Sequence, residues 1–538
     1  MTDLVAAVLE ACKRTPDAAA LTARGRTWSY QELGRRVRAL AAGLRDTGLA
    51  PGDRVLFSVR PGPDAVALAL GIVGAGGTVV FADPGAGEAL FRARAGLARP
   101  RWVAAESLLY LASSPPLRPL ARRRGLELAP YGRLVPETRH VFAGPRLPGV
   151  PPRALSLARL ARGDGDGIVP GAPDDEALVV FTSGTTDAPK AVVHSRGSLG
   201  AGLGDFAHGI GIRAGLRVLT DQLMVGIPAL IGSAHWTMPA PGLDPGARPE
   251  AYLEHLGDAE LLFASPATLD AILTALDARP ELAPALETIV LGGAPVLPPL
   301  LRRAFERLPR TRIRAVYGMT EILPVAIADG AEKLAAASSA AGDDVGRLVP
   351  SVVARIDEGE LVLAGPGLAR GYLTELPEQP LAELRTGDLA ELVGDRLVLR
   401  GRAKDMFIRG TQNVYPGLYE PLIAGLPGVA DAAMAGVPDA IGDDRIVVAV
   451  VPAEAPPVEP ALAHPLVAEV RRRLPGLVDA GVLPDAVVAL PALPRSGRSR
   501  KLDRAALAEL LSPFVPDPAS SPAPAPAPAP ASAPEDRS

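Results

Sequence analysis

Cysteine occurs once in this chain of 538 residues, as Cys12. A lone thiol excludes an internal disulfide framework and fits a reducing, cytoplasmic setting. The six histidines stand singly and there is no second cysteine, so the ligand clusters of a structural zinc site are missing. Aromatic residues make up 4% of the chain, which leaves Ala, Leu and Val to build the core. Neither sign of charge dominates. The net charge is −4, the pI is near 6.0, and no Lys/Arg stripe is interleaved with aromatics, which argues against a nucleic-acid partner. Long membrane-type runs are scarce as well. Residues 1–16 carry Asp3, Glu10, Lys13 and Arg14, which interrupt any signal-peptide core and read as an amphipathic helix. Residues 65–82 form 18 uncharged positions in a row, but Gly74, Gly76 and Gly77 punctuate them and 78–81 is β-prone. We therefore expect a buried helix followed by a buried strand and no membrane span. No repeat of solenoid period is present.

What is there is enough apolar residue, 48%, for more than one core at this length. Up to about residue 400, helical patterns alternate with short Val/Ile/Leu runs at 54–59, 78–81, 177–181 and 288–291. That alternation predicts an α/β fold in which parallel strands are joined by helical crossovers. Residues 109–151, rich in Arg and Pro, read as surface excursions, and the Asp/Gly run 164–167 reads as a solvated turn because no Glu completes a calcium loop. Polar residues and glycines cluster between 385 and 416. A boundary there gives a large N-terminal domain of stacked sheets and helices, 1–400, and a small mobile α/β domain, 401–511. Residues 512–538 become Pro/Ala/Ser repeats that cannot bury a core and read as a disordered tail.

The most informative segment is Phe181-Thr182-Ser183-Gly184-Thr185-Thr186-Asp187-Ala188-Pro189-Lys190, an apolar strand that runs into hydroxyls and ends on a lysine. Backbone amides, hydroxyls and one ammonium can surround a polyphosphate without the Walker spacing, which this chain lacks. On residue types alone, an ordinary hydroxyl-rich turn remains an equal reading. Further motifs follow in order: Gly292-Gly293-Ala294-Pro295, Tyr317-Gly318-Met319-Thr320-Glu321, Arg385-Thr386-Gly387-Asp388-Leu389, the run 401–410 from Gly401 to Gly410, Asn413-Val414-Tyr415-Pro416, and Pro494-Arg495-Ser496-Gly497 leading to Arg500-Lys501-Leu502-Asp503-Arg504.

In this order the segments resemble the acyl-adenylate-forming superfamily, which holds acyl-CoA ligases, peptide-synthetase adenylation domains and luciferases. Thr27 to Leu33 and Pro51 to Val55 extend the likeness over nearly the whole chain before the tail. The resemblance implies an ATP-dependent ligase that activates a carboxylic acid as acyl-AMP between two domains. It implies that Thr182, Ser183, Gly184, Thr185, Thr186 and Lys190 hold phosphates, and that Gly292, Gly293 and Ala294 lie beside adenine. Tyr317, Gly318 and Thr320 would form the stacking segment, Glu321 would hold Mg²⁺, Asp388 and Arg402 would bind ribose, Lys404 would be the hinge, and Lys501 would be the catalytic lysine. Such roles suit the chemistry, because a carboxylate attacking an anionic phosphate needs cations placed in advance.

This chain also departs from the family. Asp187 and Ala191 stand where the phosphate loop usually has glycines, and Thr411 replaces a frequent Gly beyond the hinge. Asp tolerates left-handed backbone better than most residues. The expected acyl-site loop, 220–230, reads Met224-Val225-Gly226-Ile227-Pro228, a small apolar wall without an Asp for an α-ammonium, so a fatty-type acid is expected. His194, His208 and His235 read as surface or satisfied residues rather than bases. The segments 243–249, 263–267 and 321–326 resemble olefin-pathway β-lactone synthetases, in which the substrate's own hydroxyl closes onto the activated carboxyl. Transfer to CoA or a carrier-protein thiol is the leading expectation for the second step, lactone closure the alternative, and a non-catalytic acyl- or nucleotide-binding relative the alternative of another class.

Overall fold

The structure is a computed structural model. It describes residues 3–82, 84, 88–123, 128–134, 138–182, 190–240, 243, 245–336, 342–373, 380–402, 405–409, 412–414, 416–438, 444–478, 482–496 and 501–515. The chain divides into two compact units, the larger within Met1–Lys404 and the smaller within Asp405–Gly497 and from Lys501 onward. The division falls at Lys404, beside the boundary at 400 expected from the sequence.

Among the described residues the larger unit contains a thirteen-stranded and an eight-stranded sheet. At the centre of the first, Arg217–Leu219, Leu261–Ala264, Thr288–Leu291 and Arg312–Met319 pair in parallel in that order. Ile322–Asp329 then folds back antiparallel on Arg312–Met319, so the parallel core ends in a tight turn at Thr320 and Glu321. Beyond it the sheet continues antiparallel through Asp343–Leu348, Arg396–Arg402, Leu384–Val393 and Glu360–Ala364. The eight-stranded sheet has a parallel core built on Arg54–Ser58, Thr78–Phe81 and Glu176–Thr182. Lys190–Ser195 and Gly371–Leu373 extend it antiparallel at one edge.

Local chemistry accounts for the elements. Asp3 caps the amphipathic helix Leu4–Arg14, whose Leu4, Val5, Val8 and Leu9 are buried. Residues 65–82 form the expected pair, a helix Pro63–Gly74 with a nearly continuous buried run and the strand Thr78–Phe81. Ser195 and Ser198 make a reciprocal capping box at the start of helix Arg196–Gly209. No helix among the described residues is long and apolar enough to cross a membrane.

Three local expectations need correction. Residues 109–151 are not simple surface excursions: Arg139–Ala143 is a strand of the eight-stranded sheet, and Tyr110, Tyr131 and Phe142 are buried in one core cluster. Tyr131 packs against both Phe91 and Tyr110, so a few large rings bury a stretch whose apolar residues are too sparse to show a period. The acyl-site segment is not a loop but a helix, Leu223–Ile231, with Pro228 inside it. Order also runs past Leu511, because Ser512–Phe514 forms a further turn and Phe514 and Val515 pack on the core of the smaller unit.

The smaller unit carries a three-stranded sheet in which Val429–Pro438 and Asp444–Pro452 pair antiparallel and Ala486–Ala489 joins the latter in parallel. Helix Arg504–Leu511 covers it with Leu507 and Leu511, and Asp503 caps that helix by accepting from Ala506 N at 3.0 Å.

Helix Leu223–Ile231 supplies a sharp packing test. A β-carbon on Gly226 would lie 2.1 Å from Trp236 Cζ2, and that indole is fully buried and donates to Thr220 O at 2.8 Å. Alanine in a helix normally gains about 1 kcal/mol over glycine. Here overpacking, at about 1–3 kcal/mol, should win. Gly226→Ala is therefore expected to lower stability in denaturant unfolding; an unchanged or raised midpoint would mean that the helix and Trp236 have slack between them.

Candidate active site

The candidate residues of the larger unit gather where strands end. Glu176–Thr182 and Lys190–Ser195 are antiparallel partners, and Thr182 opposite Lys190 is their last pair. The connection 183–189 lies outside the described residues, and with it Ser183, Gly184, Thr185, Thr186 and Asp187. Ala191 is fully buried opposite Phe181 on one strand and Leu373 on the other.

Gly292 and Gly293 directly follow the parallel strand Thr288–Leu291, at the carboxyl end where open α/β sheets bind ligands. Gly293 has φ +83°, a left-handed backbone that L side chains rarely adopt, and it is exposed with Ala294 half-buried beside it.

Tyr317 and Gly318 lie near the end of Arg312–Met319. The Tyr317 hydroxyl donates to Asp388 Oδ2 at 2.5 Å. A β-carbon at Gly318 would lie 2.5 Å from Leu323 Cδ1, the movable end of a side chain, and 3.2 Å from the Ile322 carbonyl. Asp388 is 3% exposed and stands opposite Arg402 in the ladder between Leu384–Val393 and Arg396–Arg402. Its own amide donates to Thr386 Oγ1 at 3.0 Å, and Thr386 donates to Leu361 O at 2.8 Å. Gly387, at φ +71°, donates its amide to Glu360 Oε1 at 2.8 Å. The Thr-Gly-Asp turn is thus bonded down on both sides before any nucleotide is considered.

Glu321 is half-buried, and Thr320 beside it is exposed. The Tyr372 hydroxyl donates to Glu321 Oε1 at 2.8 Å, and the Glu321 carbonyl accepts from Ala369 N at 2.7 Å. Burial, followed by the bond to Glu321, pushes the Tyr372 phenol well up, so it stays a donor. His194 is buried, with Nε2 2.7 Å from Thr320 O and Nδ1 3.2 Å from Ser198 Oγ. Desolvation lowers its pKa against the opposing pull of the Thr320 bond and of Glu321, which keeps the ring neutral, with the Nε2 proton given to the carbonyl. His194 is therefore a satisfied buried residue. His208 is exposed, and His235 Nε2 shares a 2.7 Å bond with Thr22 Oγ1.

Of the expected acyl-wall residues, Met224 is 38% exposed, Val225 points into the main core, and Gly226 faces Trp236. Lys404 lies outside the described residues, and for Arg402 only the backbone register is described.

In the smaller unit, Lys501 opens a two-residue strand, Lys501–Leu502, opposite Arg495–Ser496, and its side chain is exposed. Both flanks of this hairpin are anchored. Arg495 reaches Asp431 at 2.5 Å, and Arg504 pairs with Asp405 at 3.1 Å and with Glu420 at 2.8 Å. Burial weakens the Arg504 charge, but the two carboxylates outweigh it and hold the guanidinium firmly protonated.

Tyr372 and Glu360 were missed by sequence reasoning, and His194, expected to be a surface or satisfied residue, is satisfied by a partner that the sequence did not indicate. Tyr372 is 51 residues from Glu321 and His194 is 126 from Thr320, so no local spacing links either pair. His194 carried one usable signal, its position four residues past Lys190 on the strand that leaves the hydroxyl-rich segment.

Comparison with known proteins shows the family to which the chain belongs. The family model described as AMP-binding enzyme matches residues 8–373, and the one described as AMP-binding enzyme C-terminal domain matches 419–501. A feruloyl-CoA synthase from Amycolatopsis sp. is 29% identical over 511 residues, covering 91% of this chain and 95% of that protein. An olefin beta-lactone synthetase from Stenotrophomonas maltophilia is 27% identical over 81% of this chain and 85% of that protein. Among solved structures, the amide bond synthetase McbA from Marinactinospora thermotolerans is similar with a TM-score of 0.75 at 23% identity, covering 94% of this chain and 98% of its own. ATP-bound MatB from Rhodopseudomonas palustris has a TM-score of 0.73 at 23% identity, covering 96% and 100%. At such identities the structural likeness concerns the fold. The motifs, the mixed α/β architecture and the two family models converge: this chain belongs to the AMP-binding enzymes of the adenylate-forming superfamily and is an AMP-forming acid ligase.

Proposed function

We propose that this ligase activates an apolar, fatty-type carboxylic acid and then passes the acyl group to the thiol of CoA or of a carrier protein. In the first step a carboxylate oxygen of the acid attacks the α-phosphorus of ATP, the bond to the β-phosphate bridging oxygen breaks, and pyrophosphate leaves. In the second, a thiolate sulfur attacks the acyl carbonyl and AMP departs with the electron pair of the mixed anhydride. The observation that carries the reading is the pair of anchored carboxylates. Asp388 is held by Tyr317 and by the bonded Thr-Gly-Asp turn, where it would accept from ribose hydroxyls. Glu321 is held by Tyr372 at the end of the parallel strands.

Glu321 also suits a particular kind of cation. Among the described residues no group of three or more His, Cys, Asp or Glu side chains is placed to ligate a metal. A single half-buried carboxylate matches Mg²⁺, which takes one or two protein oxygens and completes its shell with phosphate and water. Bound there, Mg²⁺ would neutralise phosphate charge. The chain's own residues orient the nucleotide through Asp388, Tyr317 and the Gly292–Gly293 turn, and Lys501 would supply an ammonium to the developing charge.

The apolar acid rests on the residue types of segment 220–230, which offer no acidic group for an α-ammonium beyond Asp221, and on Met224, which is 38% exposed while Val225 and Gly226 pack inward. The sequence likeness to an olefin beta-lactone synthetase favours one second reading, in which a 2-alkyl-3-hydroxy acid closes on itself after activation.

Two outcomes are expected. Lys501→Ala should lose about 10²–10³ in the rate of acid-dependent pyrophosphate release, the loss of one well-placed donor worth about 3–4 kcal/mol. Because Lys501 is exposed on a two-residue strand, its melting temperature should stay near that of the parent. Unchanged pyrophosphate release with the best acid would remove Lys501 from the mechanism. Products identified by mass, after ATP and Mg²⁺ are supplied with either a plain fatty acid or a 2-alkyl-3-hydroxy acid, with and without CoA, should include acyl-CoA from the plain acid. A dehydrated product from the hydroxy acid that forms equally well without CoA would replace the thioester reading with lactone closure.

A further inference from the structure

We infer that Tyr372 is a positioning residue for Glu321: its hydroxyl selects one orientation of that carboxylate and thereby sets the affinity of the site for its divalent cation. The inference rests on the proposed role of Glu321 and goes beyond it to a residue outside the recognised motifs.

The main chain around Glu321 is fixed independently of its side chain. His194 donates to the Thr320 carbonyl at 2.7 Å, and Ala369 N donates to the Glu321 carbonyl at 2.7 Å. Both carbonyls of the turn between Arg312–Met319 and Ile322–Asp329 are therefore held. What remains free is the glutamate side chain, a long rotor that would otherwise sample several orientations at a half-buried position. The Tyr372 hydroxyl, 2.8 Å from Oε1, removes that freedom.

Tyr372 is itself well placed to serve as a fixed reference. It is the middle residue of Gly371–Leu373, whose ladder partners are Val193, Val192 and Ala191 on the strand beginning at Lys190. Arg370 N adds a bond to Val193 O at 2.8 Å. His194 belongs to that same strand. Glu321 is thus located by two side chains from adjacent strands of the eight-stranded sheet, His194 gripping the carbonyl of the preceding Thr320 and Tyr372 the Glu321 carboxylate. The strand common to both also pairs Lys190 with Thr182. A shift of Glu321 relative to that strand would have to break the Tyr372 bond first. A neutral phenol donor also spends one carboxylate oxygen without adding charge, whereas an Arg or Lys at this position would compete with a cation for the same carboxylate. Outer partners of this kind commonly change metal affinity by about 10–100-fold when removed.

The test is Mn²⁺ binding, followed by electron paramagnetic resonance in the presence of α,β-methylene-ATP, which cannot donate its adenylyl group because the bond between the α-phosphorus and the bridging carbon does not break. Tyr372→Phe keeps the ring and deletes one oxygen, so its melting temperature should match the parent. Its Mn²⁺ dissociation constant should rise about tenfold. Glu321→Gln should weaken Mn²⁺ more, and adding Tyr372→Phe to Glu321→Gln should weaken it no further, since the phenol acts only through the carboxylate. If Glu321→Gln is weakened while Tyr372→Phe binds Mn²⁺ like the parent, the positioning role is wrong and the reading of Glu321 stands. Losses that add in the double variant would show that Tyr372 acts by another route and would also overturn it. If both single variants bind like the parent, the assignment of Glu321 falls, and this inference with it.

Discussion

Two carboxylates, each held by a phenol from a distant part of the chain, are the constraint on which the site depends. Asp388 receives Tyr317 and Glu321 receives Tyr372, across 71 and 51 residues. For Glu321, which we propose to meet a cation, an Arg or Lys partner would compete with that ligand, whereas a phenol does not. Left unheld, the carboxylate would sample orientations that bind nothing. A phenol hydrogen bond is a compromise between these limits. It orients one oxygen, leaves the formal charge in place, and draws its geometry from strands whose register is already determined by burial.

The same logic runs through the turns that present these groups. The Thr-Gly-Asp segment is bonded to Leu361 and Glu360 on the neighbouring strand, and Gly387 adopts the positive φ that its tight course requires. The turn carrying Glu321 is gripped by His194, a ring that burial keeps neutral and able to donate to a carbonyl. In the smaller unit the anchoring is ionic instead: Arg495 and Arg504 brace the hairpin of Lys501 with carboxylates, leaving the lysine side chain exposed. Asp431, Asp405 and Glu420 are each engaged by an arginine.

Helix Leu223–Ile231 shows how packing revises a motif. As residue types, Met224, Val225 and Gly226 looked like three successive wall positions of a loop. As a helix they diverge: Val225 turns into the core, Gly226 lets the backbone come against Trp236, and Met224 remains 38% exposed. Successive residues on a helix point about 100° apart, so a continuous run cannot line one surface.

The sequence by itself determined the family, the α/β alternation and the buried helix and strand of residues 63–81, because these depend on short-range patterns and on motifs in a set order. It did not reveal the buried role of residues 109–151, whose few large rings have no period, nor the helical state of 223–231, where glycine and proline sit inside an apolar run. Tertiary structure alone decided which partners hold the carboxylates. A hydrogen bond from Tyr372 to Glu321 exists only because an edge strand of one sheet passes beside a turn of the other, and no spacing along the chain encodes that meeting.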